Sequence, residues 1–223
     1  GGGDDAAMRP FHSANVTNLH THGLHVSPEG TADNIFRVAA PGDHIDYEYT
    51  ISADHSTGVA WYHPHVHGSS ALQLAGGMAG AIVIEDDAAD AAVAGGVGGV
   101  RDVLLVLQQV AFFADEEDDG DVVALEELAA GRIDQRLQRH ALTQRTAYVT
   151  VNGQYEPRLA VRKNEVVRLR FVNAGASLFV WPSPPAGCTF RVIAMDGYYL
   201  DAPTRAVPRV VLPSGARADV LMA

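Results

Sequence analysis

Short runs rich in β-branched and aromatic residues, each ended by Gly, Pro, Asn or Asp, recur along most of the chain. Segments 44–51 (HIDYEYTI), 80–86 (GAIVIED), 102–110 (DVLLVLQQV), 147–153 (AYVTVNG), 166–174 (VVRLRFVNA), 190–197 (FRVIAMDG) and 217–223 (RADVLMA) all fit a strand template. In VVRLRFV the period is 2: Val167, Leu169 and Phe171 share one face, and Arg168 and Arg170 share the other. Many short strands broken by turn residues predict an all-β sandwich or barrel.

A chain of 223 residues is long enough for one large domain or two of about 100 to 120 residues. Composition shifts over 86–102, where Ala, Gly and Asp cannot build a core. This predicts a linker at 89–100 between a first domain at 1–88 and a second at 101–223. Residues 114–121 (ADEEDDGD) form an acidic block that reads as a solvated loop, since its spacing matches no calcium-coordinating pattern. Beyond it, Leu125, Leu128, Ile133 and Leu137 recur at roughly helical intervals, predicting a short helical insertion in the second domain.

The balance of 16 basic against 27 acidic residues gives a net charge of −11. That argues against a nucleic-acid partner, whose binding rests on neutralising phosphates. The longest apolar run, Met78 to Ile84, is strand-sized and far short of the roughly 20 residues that span a bilayer. A single cysteine, Cys188, excludes an internal disulfide and reads as a small buried apolar residue. No nucleophile elbow, P-loop or dinucleotide-binding glycine pattern is present.

Chemistry concentrates in two windows, NLHTHGLH (18–25) and WYHPHVHG (61–68), which hold six of the ten histidines. On a strand, residues two apart point to the same face, about 6 to 7 Å apart at Cα. His20 and His22 would therefore project together, as would His63 and His65. Two such strands side by side would present four imidazoles to a shared cluster. Imidazole suits Zn, Cu, Fe and Ni. Neither window holds Cys, Asp or Glu, so nothing favours a structural zinc site or a facial-triad iron site, and all-imidazole ligation suits copper. His25 and His67 continue the alternation and are read as neighbours of the site, and His12, His44, His55 and His140 as surface residues.

At these windows the sequence resembles the multicopper oxidases, the laccase-like family built from cupredoxin domains. The resemblance continues through SSALQLAGGMAGAIVIED (69–86), VNGQYEPRLAVRKNEVVRLRFVNA (151–174), VIAMDGYYLDAP (192–203) and LPSGARADVLM (212–222). It implies an all-β fold of two cupredoxin-like Greek-key β-sandwich domains, the first incomplete. Carried over by position, it makes His20 a ligand of a type 2 copper and His22, His63 and His65 ligands of a type 3 copper pair. In the family these join histidines of a later cupredoxin domain around a trinuclear cluster that reduces O2 to water. A type 1 copper feeds electrons to the cluster from a small reducing substrate. His67 matches a recurrent residue that is not a ligand.

The sequence departs from the family in one respect that matters. It contains no His-Cys-His motif, and Cys188 has no histidine beside it. The type 1 site and half of the cluster ligands are therefore expected to lie in a C-terminal cupredoxin domain that this chain lacks. The chain is expected to be a fragment covering part of the first domain and most of the second. Alone it should bind copper weakly and show negligible oxidase turnover. The resemblance implies a copper-dependent oxidase of phenols, aromatic amines or metal ions, placed outside the cytoplasm, extracellular or periplasmic. The alternatives are a non-catalytic copper-binding cupredoxin module, a two-domain laccase, and a copper nitrite reductase. The last needs an Asp beside its catalytic copper and a type 1 cysteine in its first domain, and neither is visible.

Overall fold

The computed structural model describes residues 13–85, 88, 90, 99–111, 147–177 and 179–223. Ten strands occur among them, against the short helix at Ser70–Ala75 and the helical residues Ala88 and Asp90, so the all-β expectation is met. A small sheet has the order β1-β2-β3, from β1 (His20–His22), β2 (Gly58–His63) and β3 (Gly80–Ile84). The other strands are β4 (Arg101–Ala111), β5 (Ala147–Val151), β6 (Gln154–Tyr155), β7 (Val167–Asn173), β8 (Phe190–Met195), β9 (Tyr198–Tyr199) and β10 (Arg217–Met222). They form a second sheet in the order β6-β5-β4-β7-β10-β8-β9.

All pairings are antiparallel except β4 with β7, which run parallel. Parallel neighbours are covered on both faces, and their sequences read as unbroken apolar runs. LLVL in β4 shows why. Val103, Leu105 and Leu107 turn into the main core with Leu169, Phe171, Val192 and Val220. Leu104 and Val106 turn the other way, into a junction core with Val59, Trp61, Val172 and Ala174. The small sheet therefore lies against the outer face of β4 and β7, and this contact positions the histidine ribbon.

The second face of β7 carries Arg168 and Arg170, and both are buried, at 1% and 5% exposure. Arg168 meets Asp219 of β10, with Nη2 2.5 Å from Oδ2, and donates from Nη1 to Asp90 across 2.9 Å. Arg170 donates from Nε to Asp102 across 2.6 Å. Burial pulls the Arg168 guanidinium down, but the Asp219 carboxylate outweighs it, so Arg168 is held charged. Asp90, in the segment expected as an exposed linker, is tied down by Arg168 and by the Tyr199 hydroxyl.

Segment 44–51 forms no strand. It keeps a period-2 burial pattern, with Ile45, Tyr47 and Tyr49 half-buried, but no ladder partner lies beside it among the described residues. One backbone bond, Glu48 N–H to Thr31 O, fastens it to the loop before it. Conversely, a helix α1 (Ser70–Ala75) follows the second histidine window, where the sequence predicts none. Its buried Gln73 donates to the carbonyls of Ala14 and Val16 and accepts from Thr17 Oγ1, fixing the segment that leads into β1. The acidic block at 114–121 and the helical insertion lie outside the described residues. No helix among the described residues is long and apolar enough to cross a membrane.

Candidate metal centre

β1 and β2 pair so that His20 lies opposite His63, Thr21 opposite Tyr62 and His22 opposite Trp61. Strand alternation then brings His20, His22, Trp61 and His63 to one face of the ribbon. Ring centroids are 5.9 Å apart for His20–His22, 5.2 Å for His20–His63 and 5.7 Å for His22–His63. One ring nitrogen from each of the three falls within 4.8 Å of the other two. Two nitrogens about 2.0 Å from a shared ion stand at most about 4 Å apart. Small ring rotations would therefore enclose an ion, or place the rings on neighbouring ions. His65 lies just past β2, its ring 5.1 Å from His20 and 5.8 Å from His63. The structure thus gathers all four histidines singled out by sequence, three of them tightly and His65 at the rim.

Each ring is held by a neighbour. His20 Nδ1 lies 2.8 Å from Asp33 Oδ2, and the Thr21 amide donates to Asp33 Oδ1 across 2.8 Å. His63 Nδ1 lies 2.9 Å from the Pro64 carbonyl. Carboxylates and carbonyls only accept, so both rings donate from Nδ1, which leaves Nε2 as the nitrogen turned to the cluster. Asn18 is buried and bridges two loops. It donates to the Ile35 carbonyl across 2.7 Å and accepts from the His65 amide across 2.6 Å. Trp61 is 3% exposed, and its ring stands 5.1 Å from His22 and 4.3 Å from His63.

The donor chemistry fits a transition metal. His63 Nε2 is buried and has no hydrogen-bond partner. Buried polar atoms are nearly always partnered, and a metal ion is a partner for a lone pair that water does not reach. Burial first, then the charge of Arg217 and the neighbouring His63 and His20, holds the His22 imidazole down at about 4. Burial also lowers His63, against the Pro64 carbonyl, which raises it. Both rings are neutral at neutral pH, the form that ligates. Cavities of about 320 and 200 Å³ adjoin His63 on either side, one reaching Met78 and the other running between His65, α1 and Ala176.

The remaining histidines are placed elsewhere. His25 accepts or donates at Nε2 with the Tyr198 hydroxyl across 2.9 Å, and its amide donates to His55 Nε2. His55 is half-buried, not the surface residue that the sequence predicts. His44 is exposed beside Asp46, and His67 is exposed outside the cluster. His12 and His140 lie outside the described residues. Cys188 packs against the main core, as expected of a small apolar residue. Asp33 and Trp61 were not singled out by sequence. The W-x-H spacing of Trp61 and His63 carried the signal for one of them. Asp33, thirteen residues past His20, carried none.

A family model for multicopper oxidase matches residues 11–89, the segment that holds all four cluster histidines. Over that segment the chain is similar to the multicopper oxidase family. It is 30% identical over 163 residues to a rice (Oryza sativa subsp. japonica) protein, multicopper oxidase LPR1 homolog 1, covering 73% of this chain and 27% of that one. It is 24% identical over 214 residues to multicopper oxidase mco of Staphylococcus aureus, covering 92% and 41%. It is also similar to a solved bacterial laccase-like multicopper oxidase, CueO from Ochrobactrum sp. That match has 27% identity and a TM-score of 0.62, covering 94% of this chain and 43% of that one. The chain therefore spans well under half the length of these multicopper oxidases.

Proposed function

We propose that His20, His22, His63 and His65 hold copper as about half the ligand set of a trinuclear cluster, within an oxidase that reduces O2 to water. His20 serves the type 2 ion, and His22, His63 and His65 serve the type 3 pair. Copper bound there would supply the redox chemistry, passing to O2 electrons taken singly from a phenol, an aromatic amine or a reduced metal ion. The chain's own residues do the rest. Asp33 and the Pro64 carbonyl fix the tautomers of His20 and His63, and Trp61 packs beside His22 and His63 and excludes water.

The remaining imidazoles and the type 1 site belong, in this reading, to a further cupredoxin domain. Support comes from the absence of His-Cys-His in the 223 residues and from the share of the relatives' length that the chain spans. The two sheets support a division into units at 1–88 and 101–223, joined at 89–100. An extracellular or periplasmic place follows from the family reading.

The observation that carries the proposal is the convergence of four imidazoles around the buried, unpartnered His63 Nε2. Copper titration with electron paramagnetic resonance tests it. The chain alone is expected to bind copper weakly through nitrogen ligands and to consume no O2 with a phenol. Oxidase turnover by the 223 residues alone would overturn the half-site reading. Copper binding unchanged when His63 is replaced by Ala would overturn the ligand assignment.

A further inference from the structure

His22 is touched from the far side of the molecule. The turn before β10, residues 213–216, reaches from the large sheet to the histidine ribbon. A Cβ built on Gly215 would stand 3.0 Å from His22 Cε1, 3.6 Å from its Nε2 and 3.7 Å from Trp61 Cζ2. The turn thus abuts the stacked pair of His22 and Trp61, whose rings lie 5.1 Å apart at 29°. Trp61 is buried in the junction core, so the imidazole has little room to yield.

The next strand residue fixes this approach. Arg217 is 5% exposed and donates from Nε to the Val59 carbonyl of β2, from Nη1 to the Gly215 carbonyl and from Nη2 to the Asp196 carbonyl. Its guanidinium lies over Gly23, the residue after His22. A Cβ there would meet Arg217 Nη2 at 2.4 Å. The glycine that closes His-Thr-His-Gly therefore admits an arginine of the other sheet. Backbone and ring of His22 are both set by the same turn.

We infer that Gly215 is a positioning residue for the metal centre, the large sheet's gauge on the His22 ring. This rests on the reading of His22 as a copper ligand. The inference predicts that the cluster's geometry is set across the two sheets and is not a property of the histidine ribbon alone.

Gly215 has φ +80°, so any L-residue there carries backbone strain as well as the contact with His22. Gly187 provides the control: its φ is +85°, and a Cβ there meets nothing within 4 Å. Gly215→Ala and Gly187→Ala are compared in the copper-free and copper-titrated chain. Gly215→Ala is expected to move the His22 ring signals in the nuclear magnetic resonance spectrum and to weaken copper binding at least tenfold. Gly187→Ala should do neither. In a double-mutant cycle without copper, removing the imidazole by His22→Ala should relieve most of the melting-temperature loss caused by Gly215→Ala. If Gly215→Ala does not fold, the His22→Ala/Gly215→Ala double variant should, and its failure to fold would overturn the proposal. Equal behaviour of the two alanine variants, or an unchanged loss without His22, would also overturn it. If the native chain binds no copper, the ligand reading fails, and the copper-free cycle still decides the role of Gly215.

Discussion

Asp33 divides its carboxylate between His20 and the strand that carries it. Oδ2 lies 2.8 Å from His20 Nδ1, while Oδ1 accepts the Thr21 amide. The ring is oriented by the same group that anchors its backbone. A carboxylate behind a ligating histidine fixes its tautomer and raises its basicity, and its loss lowers metal affinity 10- to 100-fold. Asp33→Ala is expected to weaken copper binding by about that factor in a competitive titration, and His20→Ala should then add little. An unchanged affinity would show that His20 needs no orienting partner.

Asn18 does for His65 what Asp33 does for His20, but through the backbone. Its amide is buried and joins the Ile35 carbonyl to the His65 amide. Asn18→Ala removes both part-buried hydrogen bonds, each worth about 0.5 to 1.5 kcal/mol, for a total of about 1 to 3 kcal/mol. Urea unfolding should register a loss in that range. His65 should also become more reactive to an imidazole-modifying reagent, while His63 should not. A neutral effect on both readouts would remove Asn18 from the support of the site.

Much of this was legible in the chain. The strand-like runs at 102–110, 166–174, 190–197 and 217–223 became β4, β7, β8 and β10 because tertiary packing agreed with local preference. The cluster histidines were legible because alternation on adjacent strands brings i and i+2 together. Segment 44–51 misled, since alternation reports a half-buried extended chain and not the presence of a neighbour. Asp33 and Gly215 were illegible for another reason. Their contacts with His20 and His22 cross 13 and 193 residues, and no local pattern encodes such a distance. The arginines of β7 gave their face correctly, but not that Asp219 and Asp102 would come to meet them there.

That buried pairing sets up a contrast. Arg168 and Asp219 are both almost fully buried and joined at 2.5 Å. Removing Asp219 leaves the buried Arg168 with only the more exposed Asp90 as a close partner, at a cost of up to about 3 to 5 kcal/mol. Asp219→Ala should therefore destabilise the chain by up to that amount in urea unfolding. Replacing both, as Arg168→Met with Asp219→Leu, should cost far less, because the desolvation of both charges is removed together. A double variant as damaged as the single one would mean that the pair, with Asp90 and Tyr199 around it, is favourable in its own right.

The last prediction concerns pH. An unperturbed histidine titrates near 6.5, whereas burial and the Arg217 charge hold His22 down at about 4. Between those values the unfolded chain binds a proton that the folded chain refuses, so stability rises with pH across the window. The copper-free chain should therefore lose stability as pH falls from about 6.5 to about 4, and this contribution should level off below that. The loss due to His22 should be roughly 2 kcal/mol, less than the full shift implies because the ring is only part-buried. His63, also lowered by burial, acts in the same direction. Carboxylates titrate at the lower end of the window, so the test is a difference. His22→Gln should have a shallower dependence of melting temperature on pH between 4 and 6.5 than the native chain. Identical slopes would mean that His22 is no harder to protonate in the fold than outside it, and that Arg217 does not act on the ring it lies beside.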